Sequence, residues 1–224
     1  LGNPRELAQR YYEAGADEIC YQDIVASLYG RNVDLDLVRS VAETIFVPLT
    51  VGGGIRSIHD ISNVLRAGAD KVAINTYALR NPEFLKEAVE TFGAQCIVLS
   101  VEAKQTGEMT WEAYTDGGRE RTGRDVLEWI RHALSLGVGE ILLTSIDRDG
   151  TGRGFDLELV RAVAACSPVP VIAHGGARDS ASIHEVLTEG GADAVALASL
   201  LHYERLTIAQ IKERLRAQDV NVRL

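Results

Sequence analysis

The chain repeats itself at a long and nearly constant offset. Val47-Pro-Leu-Thr-Val-Gly-Gly-Gly-Ile55 returns as Val169-Pro-Val-Ile-Ala-His-Gly-Gly-Ala177, 122 positions later. Gly15-Ala-Asp-Glu-Ile19 returns as Gly137-Val-Gly-Glu-Ile141 at the same offset, and Gly68-Ala-Asp-Lys-Val-Ala73 as Gly191-Ala-Asp-Ala-Val-Ala196 at 123. Three segments that agree to within one residue mark two similar halves.

Within each half, short β-rich runs alternate with amphipathic helical stretches. Strands are expected at Ile19–Asp23, Pro48–Val51, Lys71–Asn75, Cys96–Val101, Glu140–Thr144, Val171–Ala173 and Ala194–Ala198. Helices are expected at Pro4–Ala14, Asp34–Thr44, Ile58–Ala67, Pro82–Phe92, Asp125–Leu136, Leu157–Ala165, Ile183–Thr188 and Ile208–Gln218. Nearly continuous apolar strands are buried on both faces, as parallel strands covered by helices are. Alternation of this kind, over a length that one α/β barrel routinely occupies, predicts a single domain spanning residues 1–224. The fold class is therefore α/β, a (β/α)8 TIM-type barrel with a two-fold half-barrel repeat. The repeat also exposes a gap. The strand ending before Glu102 opens the second half, and its first-half twin would fall about 20 positions ahead of Leu1. The expectation is seven strands, with the first strand of the barrel missing from this chain and the domain N-terminally incomplete.

Composition narrows the class further. The formal charge is −9, so the basic footprint of a nucleic-acid binder is missing. No apolar run approaches the roughly 20 residues of a membrane span, and no secretory leader is visible at the start of this sequence. Cys20, Cys96 and Cys166 are odd in number and far apart. With Cys20 and Cys96 in apolar strand-like runs, they read as reduced thiols of a cytoplasmic protein.

In such barrels the chemistry sits at the C-terminal ends of the strands. Gly52-Gly53-Gly54 follows one strand and Asn75-Thr76 closes the next; Gly175-Gly176 and Ala198-Ser199 occupy the equivalent places in the second half. Glycines let backbone approach an anion, and helix N-termini and hydroxyls add donors. The doubled pattern predicts two phosphate sites on opposite sides of the barrel mouth. Tight turns alone would also favour a single Gly-Gly. Among the acids, Asp23 ends a strand, Glu102 follows one, and Asp147 and Asp149 lie in Ser145-Ile-Asp-Arg-Asp-Gly-Thr151. Strand-end carboxylates can transfer protons when their surroundings tune them. Some instead cap helices or hold loops. Glu102 reads as functional, whereas Asp149 fits either role. The Asp-x-Asp-Gly run lacks the later bidentate acid of a calcium loop, so no metal and no cofactor is expected. His174, between Ala173 and Gly175, either donates to a phosphate or packs in the turn. At the opposite face, Glu18, Lys71 and Glu140 stand at or just before three strand starts, where charges usually serve stability or a solvated rim.

Val51-Gly-Gly-Gly-Ile55, Gly68-Ala-Asp-Lys-Val-Ala-Ile-Asn-Thr76, Gly139-Glu-Ile-Leu-Leu-Thr-Ser-Ile-Asp-Arg-Asp-Gly-Thr151 and Val220-Asn-Val-Arg-Leu224 together resemble the cyclase subunit family of imidazole glycerol phosphate synthase. That resemblance implies an ammonia-using enzyme of histidine biosynthesis. Its members close an imidazole ring on a bis-phosphorylated ribulosyl aminoimidazole carboxamide, with ammonia from a glutaminase (glutamine amidotransferase) subunit. It assigns Gly52–Gly54, Asn75 and Thr76 to one phosphate, and Gly176, Ala198 and Ser199 to the other. It places catalysis on Glu102 with support from Asp149, an ammonia gate on Glu18, Lys71 and Glu140, and partner contact on Asp70.

Three departures stand beside it. The family's other catalytic Asp, a substrate-loop Lys and a fourth gate residue have no counterpart here, and Glu102 replaces an Asp. Tyr21-Gln-Asp-Ile-Val-Ala-Ser-Leu-Tyr-Gly-Arg-Asn32 and His174 look more like paralogues from surface-sugar gene clusters, which deliver ammonia to a sugar precursor. A non-catalytic phosphate-binding barrel is a third reading. The sister isomerase of the histidine pathway is a weaker one, because it leaves Lys71 unexplained.

Overall fold

Local chemistry starts and stops the elements. Asn3 accepts from the Arg5 N–H and precedes Pro4, which opens α1 (Pro4–Glu13). A carboxylate or hydroxyl does the same for α2 (Leu35–Ala42) from Asp34, and for α3 (Ile58–Arg66) from Ser57. Such caps satisfy amide groups that the first helical turn leaves unpaired, each contributing about 1 kcal/mol. The apolar runs between helices form β1 (Ile19–Gln22), β2 (Leu49–Gly52) and β3 (Lys71–Ile74).

The computed structural model describes residues 2–223. After β3 come a short α4 (Thr76–Arg80) and α5 (Glu83–Phe92). Then follow a long β4 (Ile97–Gly107), the antiparallel pair β5 (Thr110–Thr115) and β6 (Glu120–Asp125), and α6 (Val126–Ser135). The chain continues through β7 (Glu140–Ser145), α7 (Leu157–Ala164), β8 (Val171–His174), α8 (Ser180–Thr188) and β9 (Ala194–Ala196). A short α9 (Ser199–His202) and α10 (Ile208–Arg216) close it.

Seven strands run parallel in the order β1-β2-β3-β4-β7-β8-β9, with the β5–β6 hairpin branching from β4. That is the expected barrel. β1 pairs only with β2 and β9 only with β8, so no described residue fills the position between them. A continuous core of Val, Ile, Leu and Ala side chains lies between the strands and the surrounding helices, with Leu49, Val51, Val72, Leu99, Ile141 and Val171 at its centre.

Several details differ from expectation, besides the β5–β6 hairpin and the short α4 and α9. The fourth strand extends past Val101 to Gly107 because β5 pairs antiparallel with it from Glu102 onward, and Cys96 sits in a 3-10 turn before it. Cys20 is not a core thiol: it faces the open interior of the barrel and is exposed there. Surrounding protein still desolvates it, which pushes the thiol up to about 11.

Candidate functional site

The two halves build the same backbone device twice. Gly53 and Gly54 have φ of 110° and 68°, and Gly175 and Gly176 have 89° and 100°, a region that favours glycine. Space demands glycine too: a Cβ on Gly53 would lie 2.5 Å from the Asp23 carbonyl oxygen, and one on Gly175 2.8 Å from that of Ser145. One strand further on, Asn75 (φ −122°, ψ −83°) precedes α4, and Ala198 (φ −121°, ψ −80°) precedes α9. Matching dihedrals at these positions give both turns the same aim. Each short helix starts with a hydroxyl residue, Thr76 or Ser199, beside one of the glycine turns. Free N–H groups at such a start attract anions.

A cavity of about 1420 Å³ follows the barrel axis and continues through the gap between β1 and β9 to α1 and α10; Gly53, Gly54 and Ala198 border it, whereas Gly175, Gly176 and Ser199 do not. Its mouth is lined by Asn75, Thr76, Glu102, Thr144, Asp149 and His174, and its lower end by Glu18 and Glu140. Glu102 is held by two donors on one oxygen: Asn75 Nδ2 at 2.8 Å and the Gly118 N–H at 2.8 Å, both to Oε2. Oε1 has no protein partner among the described residues. Burial raises the Glu102 carboxyl to about 6, with the two donors and Arg119 acting against burial and Asp116 with it. A carboxyl poised near neutrality suits proton transfer.

Asn75 also donates to the Tyr114 carbonyl at 3.1 Å, while its own Oδ1 is buried without a partner. Thr76 Oγ1 accepts from the Asp116 N–H at 3.0 Å. Across the mouth, His174 Nδ1 lies 3.1 Å from Thr144 Oγ1. Burial lowers the His174 pKa, and the nearby Asp149 charge opposes that. The other acids have structural partners. Asp23 forms a double ion pair with Arg31, at 2.9 and 3.0 Å, which ties down the loop after β1. Asp147 accepts from the Gln105 N–H at 2.8 Å and pins the loop after β7 to β4.

At the base, three strands bring their first charged residues together. Lys71 Nζ donates to Glu140 Oε2 at 2.6 Å and to both oxygens of Glu18 at 3.1 and 3.0 Å. Lys71 and Glu140 are mostly buried, with side chains 17% and 13% exposed. Burial alone would lower the lysine pKa, but its bonds and charges with Glu140 and Glu18 leave it raised. Glu18 itself is 42% exposed, so the cluster runs from a mostly buried Lys71–Glu140 pair out to a solvated edge. The profile of the family described as histidine biosynthesis protein matches residues 1–207.

The chain belongs to this family. It is also 47% identical, over all 224 of its residues, to the imidazole glycerol phosphate synthase subunit HisF of Streptococcus sanguinis (strain SK36), covering 100% of this chain and 89% of that relative. In this histidine biosynthesis barrel the site includes groups that sequence patterns had not singled out. Gly118, Tyr114 and Asp116 belong to the β5–β6 hairpin, and they act through backbone N–H or C=O groups, which side-chain patterns do not register. The Asp116-Gly-Gly118 turn was the available signal. Asp70 is exposed, and its Oδ2 accepts the Leu49 N–H at 2.8 Å, as Asp193 accepts that of Val171 at 2.9 Å. Asp70 therefore has a structural duty at the start of β2 that the second half duplicates.

Proposed function

We propose that this chain is the ammonia-using cyclase subunit of an imidazole glycerol phosphate synthase, acting in the cytoplasm in histidine biosynthesis. It converts a bis-phosphorylated ribulosyl aminoimidazole carboxamide to imidazole glycerol phosphate, with ammonia from a glutaminase subunit. The observation that carries this reading is the axial cavity, which has a half-buried, fully paired charged cluster at its base and, at its mouth, a carboxyl that burial raises to about 6. A buried lysine paired with two acids can pass a small polar molecule selectively, which an apolar layer cannot.

In this reading Gly52–Gly54, Asn75 and Thr76 hold one phosphate, and Gly175, Gly176, Ala198 and Ser199 hold the other. Glu102 Oε1 exchanges a proton with the reacting centre while Asp149 orients the substrate. Glu18, Lys71 and Glu140 gate ammonia, and Asp70 borders the face where the glutaminase docks. Glu102 reaches one methylene further than the Asp it replaces, and its two donors on Oε2 fix where that reach ends. The test is direct: purified protein with ammonium and the ribulosyl substrate should release imidazole glycerol phosphate, and absence of that product defeats the reading.

His174 and the exposed Ile24 and Tyr29 of the loop after β1 favour a second reading, in which the same ammonia route serves a sugar-derived carbonyl acceptor. Substituting such an acceptor in the same assay separates the two.

A further inference from the structure

We propose that His174 is a second proton-transfer residue of this site, working across the bound acceptor from Glu102. The inference rests on the ammonia-using reading above and adds a residue to it. Its basis is register. Glu102 pairs with Thr144 between β4 and β7, and Thr144 pairs with His174 between β7 and β8. Partners in register on parallel strands face the same side, and all three line the cavity. Two strand spacings put the Glu102 and His174 backbones about 10 Å apart, which leaves room for a small carbonyl group between the two side-chain tips.

The ring is also oriented. His174 Nδ1 lies 3.1 Å from Thr144 Oγ1; with Nδ1–H donating to that hydroxyl, the Nε2 lone pair is left for the cavity. Burial keeps the ring neutral at pH 7, and Asp149 is the charged neighbour that acts on it.

Comparison of the halves shows why this is more than space-filling. The first-half counterparts of Thr144 and His174 are Gln22 and Gly52, paired in the same way. There the long Gln22 side chain covers the glycine, whose Cβ would collide with it. In the second half the sizes are exchanged, so the larger group is a titratable ring and stands on one side of the mouth only.

The chemistry closes with the groups present. Ammonia adds to the acceptor carbonyl, forming the C–N bond as the C=O π bond opens. One N–H proton goes to His174 Nε2, and protonated Glu102 gives its proton to the new alkoxide. In the return step imidazolium protonates the departing hydroxyl, which leaves as water, while Glu102 takes a second N–H proton and the C=N bond forms. Both residues then stand as they began.

The test combines nitrogen NMR with kinetics. In protein carrying 15N-labelled histidine, the signal lost in His174→Gln identifies this ring. It should be neutral at pH 7, protonated on Nδ1, and titrate below 6.5; a cation at pH 7 or an Nε2–H tautomer overturns the proposal. In ammonium-dependent turnover, His174→Gln should lower kcat about 100-fold at nearly unchanged KM and recover in part with added imidazole. Unchanged kcat, or a raised KM alone, marks a phosphate or packing role and overturns it. Should His174→Gln fail to fold, Thr144→Val reports instead: loss of the Nδ1–H preference is expected, and an unaffected ring overturns the proposal. Absence of turnover in the unaltered protein would count against the proposed function, and the nitrogen spectrum then decides the role of His174 by itself.

Discussion

Glu102 is a carboxyl held between two demands. Its donors favour the anion, burial favours the neutral acid, and burial wins, raising the group from 4.5 to about 6. A raised carboxyl stabilises the fold fully below its unfolded value, and that stabilisation is lost as pH rises through about 6. Glu102→Gln keeps an oxygen for Asn75 and Gly118 but cannot ionise. It should therefore be more stable than the parent at pH 8, by about 2 kcal/mol at one pKa unit per 1.36 kcal/mol, and no more stable at pH 4. Urea unfolding at both pH values measures this. The same variant should lose at least about 100-fold in ammonium-dependent turnover. Asp70 illustrates the opposite balance, an exposed acid with a buried task. Asp70→Ala and Asp193→Ala should each cost about 1 kcal/mol in urea midpoint experiments, because each leaves a strand-start N–H unpaired. A change confined to partner binding would contradict the hydrogen bond as the dominant role.

The β5–β6 hairpin carries the site's least visible contribution. Gly118 stands at φ +75°, and a Cβ there would meet Ile146 at 3.2 Å. Gly118→Ala should cost about 1 kcal/mol and, by moving the N–H away from Glu102, push that carboxyl higher still. Glu102 starts the addition step protonated, so the alkaline limb of the rate profile should then shift to higher pH; an unmoved limb would show that the hairpin does not set the carboxyl. This element also shows where sequence stopped being readable. Strands such as Val171–His174 announce themselves because helices cover one face and the barrel interior the other, which forces an apolar run. β6 is Glu120-Arg-Thr-Gly-Arg-Asp125 and mostly exposed, so its pattern reads as loop. Trp111 and Ala113 do alternate with polar residues, but Glu112 is a buried acid paired with Arg121 at 2.8 Å, and that breaks the apolar signal. α4 and α9 were equally hidden, since five and four residues are too few to show a helical period. Asn75, Glu102 and Lys71 were readable because position along a barrel strand decides whether a polar side chain meets the mouth, the core or the base.

Across the whole molecule, the base cluster and the mouth belong to one cavity, so changes at one end should be felt through transport rather than chemistry. Lys71→Ala should leave ammonium-dependent turnover largely intact while altering glutamine-dependent turnover in the complex with a glutaminase. Equal losses with both nitrogen sources would mean that the cluster serves folding alone. The duplicated turns carry a different consequence. Asn75 and Ala198 share their dihedrals to within a few degrees, so on the proposed function the two phosphate turns differ in side chains and not in backbone shape. Which end of a doubly phosphorylated substrate goes where must then be set by groups that one half has and the other lacks, and the β5–β6 hairpin, which holds Asn75 and Thr76 through Tyr114 and Asp116, stands beside one turn only. The barrel is thus a two-fold socket with a single keyway, and the keyway is the hairpin.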